Sequence, residues 1–527
     1  MHIPNSLPQI YSGEKYLYVI KNTRWFKFFY IISLVLWYYT VYTFYMGAYQ
    51  NPWIVIVFTP PIFILTAFYT LSKVINLGYP DKPFSVDKHE NKAMKYWTNM
   101  NARPTVDILL PVAGEDIEVI DNTWQGVSEL FDQYGENMKV YVLDDKGDNK
   151  LKTKARSFGF NYICRPNRGE FKKSGNLNYG LSQVDGEFIV VFDADFRPSP
   201  MFLHDLMPYT EDKKVGIVQS PQYFDVNKQV EKRSLLEYGG GAIQAYFYTF
   251  VQPSLNKLNA TICVGSNAIY RREALDDVGG FALLDHSEDV WTGFNLIKKY
   301  WQITYVPVIL AKGLCPDDVQ AFFNQQRRWS EGSLSIMSSG SFWTSDFAWK
   351  TRLGYLSSFL YYLSDTAGLV MSFLLFASIF TFGLTFTSNS LWILMAFVVT
   401  SFFLLIVHQY PKARLGTLIA FNVAVWSYIY SILSFYTGNG IVWQPTGVKR
   451  KLSSGFRNLL IISTLYYVVY FELTLLIINN KLIFIDRTES LPALFWICLV
   501  LFIQTCYMIF IWRYAIKRLV LEFAKPK

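Results

Sequence analysis

Glu187-Phe188-Ile189-Val190-Val191-Phe192-Asp193-Ala194-Asp195 is the stretch that decides the fold. An unbroken apolar run of this length, bounded by charged residues, reads as a strand buried on both faces. Its carboxyl end delivers two acids, spaced i and i+2. Two further runs have the same character: Val106 to Val112, and Met138 to Leu143, which ends in Asp144-Asp145. Helical patterns separate the three. The alternation predicts an α/β domain with a mostly parallel sheet and ligands at the strands' carboxyl ends. Asp193 and Asp195 are hard oxygen donors suited to Mg²⁺ or Mn²⁺, which bind partly through substrate phosphates. A strand-ending turn with solvated acids is the plainer alternative.

Outward from that strand lie other groups with chemistry to offer. Asp144-Asp145-Lys146-Gly147 can hold the base or ribose of a nucleotide, or form only a polar β-turn. Lys173, just before Ser174-Gly175 at a helix start, fits a diphosphate contact or an ordinary basic capping loop. Ser287-Glu288-Asp289-Val290-Trp291-Thr292-Gly293 opens a helix with two carboxylates. Asp289 is the candidate general base: inverting sugar transfer to a hydroxyl needs one carboxylate to take the acceptor proton, and no covalent nucleophile. Gln325, Arg328 and Trp329 fall at i, i+3 and i+4, on one helix face. A guanidinium there can offset charge on a leaving pyrophosphate, an indole can stack on a pyranose, and an amide can hydrogen-bond a sugar. An interfacial helix with Trp at the headgroup level explains Arg328 and Trp329 but leaves Gln325 unexplained.

Composition sets the context. Of 527 residues, 51% are hydrophobic, 18% aromatic and only 17% charged, and the apolar residues come in blocks. The net charge of +8 comes without a Lys/Arg run, so nucleic acid is not an expected partner; basic residues instead flank apolar blocks. Five scattered cysteines lack metal-ligand spacing. Phe28 to Met46 is too long for a signal peptide and, with Trp53 to Ile75, reads as a pair of spans whose basic flanks face the cytoplasm. Leu356 to Phe382, Leu391 to Val407, Leu459 to Ile478 and Leu491 to Trp512 complete six spans. Leu415 to Tyr436 is read as an interfacial helix, because a seventh crossing would place Lys449, Arg450, Lys451 and Arg457 outside. Asp365 and Glu472 fall inside apparent spans, where an ionisable group faces a cavity or sits near a span end.

Asp144-Asp145, Asp193-Ala194-Asp195, Ser287-Glu288-Asp289 and Gln325-x-x-Arg328-Trp329, in that order between membrane spans, resemble the processive family 2 glycosyltransferases, cellulose synthase among them. Lys173-Ser174-Gly175-Asn176-Leu177-Asn178, Val218-Gln219-Ser220-Pro221, Gly265-Ser266 and Gly279-Gly280-Phe281 extend the likeness. The resemblance implies a GT-A domain binding a UDP-sugar and Mg²⁺ or Mn²⁺ through Asp193 and Asp195. Asp289 is then the base, and Asp144, Asp145, Lys173, Asp193, Glu288, Gln325 and Arg328 contact substrate. Gly265-Ser266 lies near the acceptor sugar, with Trp329 at the mouth of a channel. Trp443 to Lys449 is similar to the family's gating loop, which assigns nucleotide contacts to Thr446 and Lys449. Ser287 stands where the family has Thr, and the aromatic that stacks on uracil is absent from Pro111-Val112-Ala113-Gly114-Glu115. The chain ends shortly after its last span, which argues against a cyclic-dinucleotide-sensing domain.

The expected layout is a cytosolic segment (1–25), spans 1 and 2 (26–78), the cytosolic catalytic domain with interfacial helices (79–345), spans 3 and 4 (346–410), an interfacial helix and gating loop (411–457), spans 5 and 6 (458–515) and a cytosolic tail (516–527). The expected function is polymerisation of UDP-glucose into a β-glucan, cellulose-like or branched as in type 37 capsule synthases, exported across the plasma membrane with the bilayer and the growing polysaccharide as partners. A hyaluronan- or chitin-synthase-like enzyme using UDP-N-acetylglucosamine, a non-processive lipid glycosyltransferase and a non-catalytic transporter with a degenerate sensing domain are the alternatives. Oligomeric state is left open.

Overall fold

The computed structural model describes residues 7–8, 12–19, 24–78, 84–224, 234–285, 287–382, 415–437, 453–479 and 490–523. The expected span Leu391 to Val407, and Thr446 and Lys449, lie outside the described residues.

Among the described residues ten strands form two sheets: β1 (Val106–Val112), β2 (Met138–Asp144), β3 (Asn161–Ile163), β4 (Phe188–Val191), β5 (Phe196–Pro198), β6 (Val215–Gln219), β7 (Tyr223–Phe224), β8 (Ala268–Arg271), β9 (Gln302–Tyr305) and β10 (Ala311–Gly313). The larger sheet has the order β3-β2-β1-β4-β8-β6-β9 and the smaller one β5-β10-β7. Alternate residues of the central strands feed two cores. Val106, Ile108, Leu110, Phe188 and Val190 pack around Trp124, while Leu109, Ile189 and Val191 pack with Tyr270 and Phe294 on the other face. This explains the uninterrupted apolar runs. Each such side chain contributes about 1.5–3 kcal/mol relative to exposure. Asp107 is the polar exception in β1. Its Oδ2 accepts from the backbone of Asp185 (3.1 Å) and Gly186 (2.5 Å), which ties the entry of β4 to its neighbour.

The large sheet is mostly parallel, as expected, and is made mixed by one strand. β8 runs antiparallel to both β4 and β6. After β6 the chain makes a helical excursion and returns at the same carboxyl edge, where Asn267 N donates to Val191 O and Ser220 N to Asn267 O. A strand starting from that edge has to run back. The return also places Gly265-Ser266 beside the acids that follow β4.

Eleven helices matter here: α1 (Arg24–Ala48), α2 (Pro52–Leu77), α3 (Ile117–Tyr134), α4 (Lys172–Leu181), α5 (Leu235–Tyr246), α6 (Glu288–Lys298), α7 (Val319–Met337), α8 (Trp349–Phe382), α9 (Leu415–Thr437), α10 (Ser454–Asn479) and α11 (Ser490–Phe523). Four described segments are long and apolar enough to cross a membrane: Lys27–Ala48, Pro52–Leu77, Gly416–Thr437 and Ser454–Leu476. Ile54, Phe58 and Ile62 of α2 pack with Met371 and Leu374 of α8. Helix α9 differs, packing Ala420, Val423 and Trp426 against Phe322 and Phe323 of α7 and Tyr507 of α11. Glycines bring it into backbone contact with α5: a Cβ on Gly239 would lie 2.1 Å from Gly416 O. Asp365 on α8 turns inward, its Oδ2 enclosed. Glu472 is exposed on α10.

An N-terminal strap lies across the catalytic domain. Lys15 O accepts from Ile309 N (2.9 Å), Lys15 Nζ lies 2.6 Å from Asp205 Oδ2, and Glu14 pairs with the buried Lys312. Tyr18 packs edge-on against Tyr223 at 5.4 Å.

Candidate active site

The acids after β4 meet the base-bearing turn across a single lysine. The start of helix α4 is left-handed at its cap, Phe171 (φ 50°), and at its first residue, Lys172 (φ 46°), which turns Lys173 inward. Lys173 Nζ pairs with Asp193, lies 3.7 Å from Glu288 Oε1 and donates to Gly265 O at 3.4 Å. Ser266 Oγ accepts from Asp193 N at 2.9 Å, fixing the start of the Asp-x-Asp turn. Asn267 (φ 55°) and Ser287 (φ 59°) are also left-handed. Four of the six non-glycine residues with positive φ among the described residues therefore adjoin these side chains, a concentration of backbone strain typical of functional sites.

Asp289 leads α6 one residue after Glu288 and accepts from Val290 N at 2.9 Å. Burial, together with the neighbouring Glu288, pushes its carboxyl up to about 7, while Lys173 pulls it down. Gly265 (φ +76°) admits it: a Cβ there would stand 2.7 Å from Asp289 Cβ. Burial, then Asp193 and Glu115, likewise push Asp195 up to about 7. Lys173 loses some basicity to burial, but Asp193, Glu288 and Asp289 outweigh that loss and hold it above the ordinary lysine value.

The opposite wall is α7. Asp318 caps its N-terminus, accepting from Gln320 N at 2.9 Å, and Tyr514 of α11 donates to the same carboxylate at 2.7 Å. Ser287 Oγ donates to Arg328 O at 3.1 Å, and Gly332 leaves room for that serine. Burial lowers the Arg328 guanidinium, while Glu288, Asp289, Asp193 and Asp195 pull it back up. One cation thus feels all four carboxylates. Gln325 Oε1 is buried without a hydrogen-bond partner, and Trp329 is half-buried.

Asp193, Asp195, Lys173, Gly265, Ser266, Glu288, Asp289 and Arg328 are therefore brought together. Asp144 and Asp145 are engaged inside the protein. Asp144 accepts from Lys146 N (2.8 Å), Asp148 N (2.7 Å) and Tyr162 Oη (2.7 Å). Asp145 is held by Arg165 Nε (2.6 Å) and Gly169 N (3.1 Å). They shape the turn after β2. Glu115 is a group that the sequence reading did not assign to the site. It follows β1, accepts from Ala113 N at 2.7 Å and, pushed up by burial, lies close enough to Asp193 and Asp195 to exchange charge effects with them. Its position just past a buried strand was the available signal.

Among the described residues no group of three or more His, Cys, Asp or Glu is placed to hold a metal ion alone. Two aspartates on adjacent sides of a turn suit an ion that completes its shell with substrate phosphates.

Residues 188–410, from β4 through this cleft and beyond, match the glycosyl transferase family group 2. This part of the chain is similar to the family 2 glycosyltransferases. Cellulose synthase 1 of Komagataeibacter xylinus is 33% identical over 267 residues, 50% of this chain and 17% of that protein. The cellulose synthase catalytic subunit (UDP-forming) of Pseudomonas fluorescens (strain SBW25) is 31% identical over 274 residues, 51% of this chain and 36% of that one. The chain thus matches well under half the length of these curated relatives. Among solved structures, a mannosyltransferase from Pyrobaculum calidifontis in complex with GDP-Man and Mn²⁺ aligns over 70% of this chain and 99% of its own, at 16% identity and a TM-score of 0.47. The matched residues include Asp193, Asp195, Asp289 and the Gln325-to-Trp329 motif.

Proposed function

We propose that the protein is a processive, inverting glycosyltransferase of GT-A type that extends a β-glucan from UDP-glucose and passes it across the plasma membrane. The observation that carries the reading is Lys173 joining Asp193, Glu288 and Gly265 in one cleft, with Asp289 packed against that glycine. The relatives named as cellulose synthases supply the polymer and the donor sugar.

In this reading Asp289 accepts the proton of the acceptor hydroxyl as its oxygen bonds to the anomeric carbon. The bond from that carbon to the diphosphate breaks, and UDP carries the electron pair away. A carboxyl near 7 is matched to this task at neutral pH. Arg328 and Lys173 offset the charge growing on the diphosphate. Gln325 Oε1, enclosed and lacking a partner, accepts from a sugar hydroxyl, and Trp329 offers its face to the ring. Mg²⁺ or Mn²⁺, held by Asp193 and Asp195, would neutralise the donor phosphates when bound. Thr446 and Lys449 are assigned to the nucleotide on the resemblance alone.

The layout proposed for the membrane is six spans with α9 at the interface. Its packing favours this: 56% of its apolar window is buried inside the protein, against 17–28% for the other three candidates. The catalytic domain then faces the cytoplasm.

Purified protein supplied with UDP-glucose and Mg²⁺ or Mn²⁺ should release UDP and form a polymer that linkage-specific β-glucanases degrade. Incorporation from UDP-N-acetylglucosamine alone would replace the glucose assignment with a hyaluronan- or chitin-like one. An organic-extractable product would point to a lipid glycosyltransferase.

A further inference from the structure

The motif helix α7 has two working faces. Arg328 adjoins the cleft, its carbonyl accepting from Ser287 Oγ, but the two residues before it, Gln326 and Arg327, turn to α9. Tyr428 Oη donates to Gln326 Oε1 at 2.9 Å. Arg327 is buried; its Nε donates to Glu331 Oε1 at 2.8 Å and its Nη2 to Ser434 Oγ at 3.1 Å. The guanidinium lies 4.7 Å from the Tyr430 ring centre, and Ser434 Oγ is 3.0 Å from Glu331 Oε1. Glu331 is buried as well.

A buried ion pair of this kind is a poor source of stability, since desolvating both charges costs about what their attraction returns. A well-packed apolar pair of similar volume often does as well. What the pair supplies is direction. A planar guanidinium that has to meet Glu331, Ser434 and Tyr430 together admits few rotations of α7 about its own axis. Arg328 is the next residue, about 100° around the helix. Fixing Arg327 against α9 therefore fixes the angle at which Arg328 and Trp329 enter the cleft.

We propose that Arg327, with Glu331, is a positioning residue of the acceptor clamp: their contacts with α9 set the rotation of α7 and so the reach of Gln325, Arg328 and Trp329. This rests on reading the cleft as a sugar-transfer site.

The test compares Arg327→Met, Glu331→Leu and the double variant by thermal melting, kinetics and product length, and by the fluorine resonance of fluorotryptophan at position 329, assigned with Trp329→Phe. Each single variant leaves a buried charge unpaired and melts earlier. The double variant recovers the melting temperature, yet its kcat stays lower by about tenfold or more, its chains are shorter, its KM for the sugar nucleotide is unchanged and the fluorine resonance is displaced. Ser434→Ala, which removes one partner and keeps the ion pair, shows the same changes in smaller measure and serves if the double variant does not fold. A variant that regains its melting temperature together with wild-type kcat, chain length and resonance overturns the proposal. If the wild type transfers no sugar, the reading of the cleft has failed, and the fluorine comparison alone decides whether Arg327 positions Trp329.

Discussion

Gly265→Ala tests the geometry of the base at its tightest point. Two costs are separable. An L-residue at φ +76° is strained by roughly 1–2 kcal/mol whatever surrounds it. The new methyl would also stand 2.7 Å from Asp289 Cβ and 2.9 Å from Oδ2, about 0.7 Å inside the ordinary 3.4 Å contact. The carboxylate has to retreat by most of an ångström, a displacement worth on the order of a hundredfold in kcat, or about 2.7 kcal/mol of barrier. Gly159→Ala isolates the first cost, since Gly159 has φ +74° and nothing within 4 Å of an added Cβ. Both variants should melt about 2–8 °C below wild type. Only Gly265→Ala should lose turnover, measured as UDP released per enzyme at saturating UDP-glucose. Turnover of Gly265→Ala within about threefold of Gly159→Ala would refute the placement of Asp289 against this glycine.

Three other outcomes follow from the same cleft and its supports. With Asp289 pushed up to about 7 by burial and Glu288, kcat/KM should fall about tenfold per pH unit below that value, and Lys173→Met should carry the acid limb to higher pH. The same shift has a stability sign. Between about pH 4 and 7 the folded chain holds a proton the unfolded chain has released, so this residue's contribution declines as pH rises through 7, and Asp289→Asn should melt later than wild type at pH 8 while making no polymer. Asp195→Asn should weaken Mn²⁺ dependence by on the order of tenfold or more in half-saturating metal, read from activity titrations and from Mn²⁺ paramagnetic binding. In Gly416→Ala the new methyl would stand 2.1 Å from Leu235 O, a backbone atom that cannot swing aside, so α5 and α9 should separate and the chain should melt early; Gly368→Ala, with nothing within 4 Å, is the neutral comparison.

The parts of this site legible in the sequence are those carried by local pattern. A run buried on both faces announces β4, and its terminus places Asp193 and Asp195 without any knowledge of neighbours. The i, i+3, i+4 spacing gathers Gln325, Arg328 and Trp329 on one face for the same reason. What local pattern lacks is the partner. Nothing near Asp145 in the sequence shows that Arg165, 20 residues on, will hold its carboxylate. Nothing near Arg327 shows that Ser434, 107 residues on, will receive it. The antiparallel β8 was hidden likewise, because its direction depends on which edge of the sheet the excursion after β6 comes back to.

The strap ahead of α1 has a consequence for biogenesis. Its residues leave the ribosome well ahead of the groups that receive them, Asp205, Ile309 and Lys312, which follow roughly two to three hundred positions later. Sequence-distant pairings of this kind form slowly, since a long loop has to close before any contact rewards it. The helical pair α1 and α2 can therefore form while the polar segment before it still waits for its seat, and substitutions in that segment would interfere with the last act of maturation more than with the first.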